Sequence, residues 1–74
     1  VLAMEPENAD ALHLLGMVEL SSGRAASAVP LMERAIGLLP KSAHFHSNLA
    51  NARRELGQFE EAERGYRRAL ELGA

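Results

Sequence analysis

Cysteine and tryptophan are absent from this chain, its aromatic residues are two phenylalanines and one tyrosine, and no apolar run approaches the length of a membrane span. Without cysteine there is no disulfide framework, and three histidines in 74 residues offer little to a structural metal. A domain of this size buries only about 60% of its unfolded surface. Its stability must therefore come from close packing or from association.

Charge of a single sign is also missing. Eight Lys and Arg face ten Asp and Glu, interleaved, for a net charge of −2. Such a surface has no field to attract nucleic acid or a lipid headgroup layer, so neither is an expected partner. The opening Val1-Leu2-Ala3-Met4 has no basic lead and soon meets Glu5-Pro6, unlike a signal peptide or a transmembrane segment. With no cysteine and no signal peptide, the cytoplasm is the expected compartment.

Catalytic apparatus is not visible. No Gly-rich phosphate loop, nucleophile elbow or Cys/His cluster occurs. His44 and His46 are two apart and point to different sides of a helix, where a helix-borne metal pair needs a spacing of three or four. Arg53, Arg54, Arg64, Arg67 and Arg68 alternate with Glu55, Glu60, Glu61, Glu63 and Glu71, which reads as a salt-laced solvated face. No catalytic residue, cofactor or metal is expected, and the chain is not read as an enzyme.

What is present is a repeat. A shift of 34 positions aligns Gly23 with Gly57, Ala28 with Ala62, Ala35 with Ala69 and Leu38 with Leu72. It also pairs Leu15 with Leu49, Gly16 with Ala50, Ile36 with Leu70 and Pro6 with Pro40. A period of 34 is that of one helical hairpin in the tetratricopeptide solenoids. Leu12, Leu15, Gly16, Ala28, Met32, Ala35 and Pro40 fill the signature places of a first copy; His46, Leu49, Ala50, Ala62, Tyr66 and Ala69 fill those of a second, with Ala74 where a proline would end it. On these residues the chain resembles the tetratricopeptide repeat family throughout. Glu19 and Arg53 depart from the pattern, standing where an aromatic is usual, and Ala25 stands where the second copy has Phe59.

The resemblance implies an all-α fold: tandem antiparallel helix-turn-helix hairpins stacked as a right-handed α-solenoid, about four helices. Val1 to Pro6 read as the tail of a preceding repeat, 7–40 as repeat 1 and 41–74 as repeat 2. Local chemistry puts helices at 9–21, 25–37, 43–55 and 59–72. Asn8 and Ser42 are favoured N-caps, and Gly23 and Gly57 lie in the turns within each hairpin. Phe45, Leu49, Ala52 and Leu56 form one apolar stripe; Phe59, Ala62, Tyr66, Ala69 and Leu70 form another, giving each helix a buried side. Gly16 against Ala28 should be a close helix crossing, which leucine at Ala28 or Ala62 would overpack. Pro30 should kink the second helix or delay its regular start to about residue 29.

In a solenoid of such hairpins the first helix of each pair lines the concave side. There His44, Ser47, Asn48, Asn51, Arg54 and Glu55 make a polar strip, while Asp10, His13, Leu14, Met17, Leu20 and Ser21 make a more apolar one. Asparagine suits an extended ligand because its amide both donates and accepts. The candidate peptide-binding residues are thus Asn48, Asn51, Arg54, Ser47, His44, His13, Met17 and Asp10. A Leu/Met stripe such as Leu14, Met17 and Leu20 more often serves a core. The segment Ser47-Asn48-Leu49-Ala50-Asn51-Ala52 looks like repeats of O-linked N-acetylglucosamine transferases and their bacterial relatives, which implies groove asparagines holding substrate polypeptide; Leu14 breaks that ladder in the first repeat. The carboxylate clamp of chaperone-binding members has only its Asn51 place filled.

The expected function is a protein–protein interaction module that takes a peptide or protein segment in its groove. Two alternatives stand beside it: a substrate-recruiting segment of a larger glycosyltransferase, and homo-oligomerisation through apolar repeat ends.

Overall fold

The computed structural model describes residues 8–73. The expected tail Val1 to Pro6 and the end position Ala74 lie outside these residues. Within them the protein forms four helices: α1 (Ala9–Ser21), α2 (Ala25–Leu38), α3 (Ala43–Glu55) and α4 (Phe59–Glu71). α2 runs one residue past the expected 37, and α4 stops one before 72, with Leu72 as its C-cap.

The starts and stops repeat with the sequence. Asn8 Oδ1 accepts from the Ala11 amide at 2.9 Å, and Ser42 Oγ from the Phe45 amide at 3.4 Å, so the first helix of each hairpin opens on a polar side chain that caps it. α2 and α4 have no such cap and follow directly from a tight turn. Gly23 (φ 84°) and Gly57 (φ 78°) supply the left-handed residue there. The Arg24 amide donates to the Glu19 carbonyl and the Gln58 amide to the Arg53 carbonyl, both at 2.8 Å, as in a Schellman turn. An apolar contact often accompanies that motif; here the same two positions carry polar partners. Glu19 Oε1 accepts from Arg24 Nε at 2.6 Å, and Gln58 Oε1 accepts from Arg53 Nη1 at 3.0 Å. Glu19 and Arg53, the two departures from the usual aromatic, are thus turn clips of reversed polarity. Arg53 also reaches Glu33 of α2 at 2.5 Å and links the hairpins.

Helices pack on their neighbours in sequence order: α1 on α2, α2 on α3, α3 on α4, with α1 meeting α3 only along an edge. That nearest-neighbour pattern is the mark of a solenoid. Two core clusters run across the boundary between hairpins. One joins Ala9 and Leu12 of α1 to Ala35 of α2 and Phe45 of α3; the other joins Ala28 and Met32 of α2 to Ala52 of α3, flanked by Met17, Leu20, Val29 and Leu49. Ala28, Met32, Ala35 and Ala52 are all at 0% exposure. A methyl on Gly16 would sit 2.8 Å from Met32 Cγ, and one on Gly65 would sit 3.0 Å from Ala50 Cβ. The crossing in each hairpin therefore has one glycine, but on α1 in the first and on α4 in the second.

Two expectations need correction. α2 is continuous from Ala25, as the expected 25–37 has it, so of the two alternatives at Pro30 the delayed start at residue 29 falls; Pro30 and Ala26 are both exposed, where water can meet a carbonyl that lacks its amide partner. The α3 and α4 stripes are only partly buried: Phe59 is 67% exposed, Leu70 68% and Leu56 38%. α3 covers the Ala62–Ala69 edge of α4, and no described helix covers the side that in α2 packs against α3.

Helical glycines provide a sharp test. Gly37 has nothing within 4 Å of an added Cβ, so Gly37→Ala should stabilise by about 0.5–1 kcal/mol through helix propensity. Gly16→Ala has the same propensity gain but meets buried Met32, and should instead destabilise, as should Ala28→Leu by about 1–3 kcal/mol. Urea unfolding of the three variants would show two midpoints falling and one rising.

Candidate functional site

α1 and α3 open their two hairpins and lie side by side, and the candidate residues sit where they approach. The contact is built on one ring pair. His13 of α1 stacks on Phe45 of α3, with ring centroids 4.3 Å apart and planes 25° from parallel. Ring stacking of this kind stabilises beyond the area that both rings bury. Phe45 is in the core and Leu12 anchors α1 one position before His13, so the helix cores hold the imidazole in place.

One turn along α3 from Phe45, on the same face as His44, Asn48 meets the imidazole edge: its Nδ2 lies 2.9 Å from His13 Nε2. Asn51 lies one turn further, and its Oδ1 accepts a hydrogen bond from the Tyr66 hydroxyl of α4. Tyr66 stands where the first hairpin has Met32, at the helix crossing. A phenol there must find a partner for its hydroxyl, and Asn51 supplies it. Both asparagines are partly buried, and no buried side-chain nitrogen or oxygen among the described residues lacks a partner.

The other candidates spread outward from this pair. Ser47 is partly buried; Asp10, His44 and Arg54 are exposed. Met17 is partly buried and packs, with Leu20, against the Ala28–Met32–Ala52 cluster, whereas Leu14 is 65% exposed. The apolar strip of α1 is therefore split between core and surface. His46 is turned away to a structural task, donating from Nε2 to the Pro40 carbonyl at 2.8 Å. Among the described residues no group of three His, Asp or Glu side chains is placed to hold a metal ion, and no helix is long and apolar enough to cross a membrane.

Sequence reasoning named His13, Asn48 and Asn51 but missed that His13 and Tyr66 hold the two amides. The first link joins residues 35 apart and the second residues 15 apart, which helical periodicity within one element does not report. The one available signal was Tyr66 itself, a hydroxyl at a position whose counterpart, Met32, is wholly buried.

Burial holds the His13 imidazole below its ordinary range, the charge of His44 lowers it further, and Asp10 acts weakly in the opposite direction. In the unfolded protein the ring titrates at about 6.5, so on acidification the unfolded state takes up a proton before the folded state does. Stability must then fall as pH drops through about 6.5 toward the folded value. Urea midpoints measured from pH 7.5 to pH 5 should decline, and His13→Phe, which keeps a ring on Phe45, should decline less over that window.

A tetratricopeptide repeat family model matches residues 19–74, which covers α2, α3, α4 and the end of α1. No curated protein matches the sequence, so the narrower likeness to transferase repeats rests on residues 47–52 alone. Such repeats are in general protein–protein interaction modules and typically non-catalytic. With four helices in two hairpins, nearest-neighbour packing and the 34-residue register, this protein belongs to the tetratricopeptide repeat family.

Proposed function

We propose that the protein receives an extended polypeptide segment along the face shared by α1 and α3, with Asn48 and Asn51 as its principal polar contacts. The observation that carries this reading is that each amide is held by one intramolecular bond and keeps its other half unengaged among the described residues. A side chain fixed by a neighbour loses little rotamer freedom on binding, which favours affinity. Arg54, one turn beyond Asn51, extends the strip with a cation; His44 and Ser47 border it on α3, and Asp10, His13 and Met17 on α1.

A second reading has its own observation. Phe59 and Leu70 expose two large apolar side chains on α4, and a second copy of the protein seated there would bury them. Sedimentation over a wide concentration range tests this directly: a constant molecular mass rules self-association out.

For the groove, a random dodecapeptide display library would be selected on the immobilised protein and on the Asn48→Ala, Asn51→Ala double variant, with helicity checked by circular dichroism. Loss of two hydrogen bonds should weaken the selected peptides by about tenfold or more. Equal binding to both proteins would remove these asparagines from the site.

A further inference from the structure

The neighbours that hold the two asparagines hold opposite ends of the amide. Asn48 engages His13 through Nδ2, which can only donate, so His13 Nε2 is the acceptor and the neutral ring carries its proton on Nδ1. On Asn48 the atom left wholly unengaged is Oδ1, beside one spare N–H of Nδ2. Asn51 is engaged through Oδ1, by the Tyr66 hydroxyl, so the atom left wholly unengaged is Nδ2, beside one spare lone pair of Oδ1. At a spacing of three on one helix the two residues share a face. That face offers one wholly free acceptor atom and one wholly free donor atom, the complement of one backbone N–H and one backbone carbonyl, which peptides carry whatever their side chains.

We infer that His13 and Tyr66 are positioning residues that set Asn48 and Asn51 to opposite hydrogen-bonding polarity for a peptide backbone, and that a proton on His13 reverses the Asn48 half. The ligand part rests on the groove reading above; the amide geometry does not. A doubly protonated imidazole has no acceptor, so its Nε2–H and the Asn48 Nδ2–H would point at one another. Rotating the amide by half a turn relieves this, placing Oδ1 on His13 and Nδ2 outward. The ring need not leave its seat, because a cation over the Phe45 face is itself favourable. The charged and titratable groups that act on His13 are His44 of α3 and Asp10 of its own helix, and no group of α2 figures among them. After protonation the face shows two donors, and a peptide N–H loses its acceptor. Recognition would then be insensitive to ligand side chains but sensitive to pH.

The test has two arms. In ¹⁵N-labelled protein taken from pH 7.5 to pH 5, the Asn48 side-chain amide should shift along the titration of the His13 ring while the Asn51 amide stays in place. An Asn48 amide that does not move while His13 titrates overturns the inference. In the second arm, the peptide pool selected from the dodecapeptide library at pH 7.5 should bind about tenfold more weakly below the His13 midpoint. In His13→Phe that pH dependence should vanish; if it persists, the inference falls. A library that yields no binder defeats the groove reading and the docking half with it, while the Asn48 titration still upholds or overturns the amide half.

Discussion

The structure depends on one side chain having room. Met32 is the largest fully buried side chain among the described residues, and it sits where α1, α2 and α3 converge. Gly16 leaves the space on one side and Ala28 and Ala52 keep it narrow on the others. Helices cross this closely only where the contact point lacks bulk. The alanines that follow from this geometry, Ala35, Ala50, Ala62 and Ala69, are buried for the same reason. A protein with three aromatics and no tryptophan thus builds its core around a few large side chains, Met32, Phe45 and Leu12, set among alanines that let the helices approach closely.

The same scaffold decides where polar chemistry can lie. Small residues draw α2 against α3, which places α1 and α3 edge to edge, and His13, Phe45 and Asn48 fall on that edge. In the second hairpin the space-giving glycine moves from α1 to α4, and the methionine becomes tyrosine. Gly65 sits against Ala50, and Tyr66 carries a hydroxyl to Asn51. Variation at the helix crossing is therefore what gives Asn51 its hydroxyl partner. The two hairpins share a backbone plan and differ in the polar contacts their helices make.

How much of this was legible in the sequence follows from the range of each interaction. The helices could be read because caps, turn glycines and apolar spacing act within about four residues, and because each cue occurs twice, as with Asn8 and Ser42 or Gly23 and Gly57. Ala28 and Ala62 declared the crossings through their recurrence. The tie from His13 to Asn48, the Arg53 link to Glu33 and the Gly65 contact depend on how two helices are rotated about each other, which no single helix encodes. The exposure of Phe59 and Leu70 escaped because an apolar stripe states that a side wants cover, not that a neighbour supplies it. Glu19 and Arg53 depart from the family pattern, and their role lies in partners five residues on, across a turn that helical spacing does not span.

Packing in sequence order has a mechanical side. α1 has no contact surface with α4, and the two hairpins meet chiefly through α2 and α3, with α1 adding only its edge contact to α3, a seam narrower than the contact within either hairpin. Force applied along the stack is then borne by that seam, since the turns at Gly23 and Gly57 each tie a hairpin to itself. A change in tilt at the α2–α3 boundary would lengthen or shorten the stack while leaving both hairpins whole, and Met32, Ala52 and the Glu33–Arg53 bridge lie at the boundary where it would act.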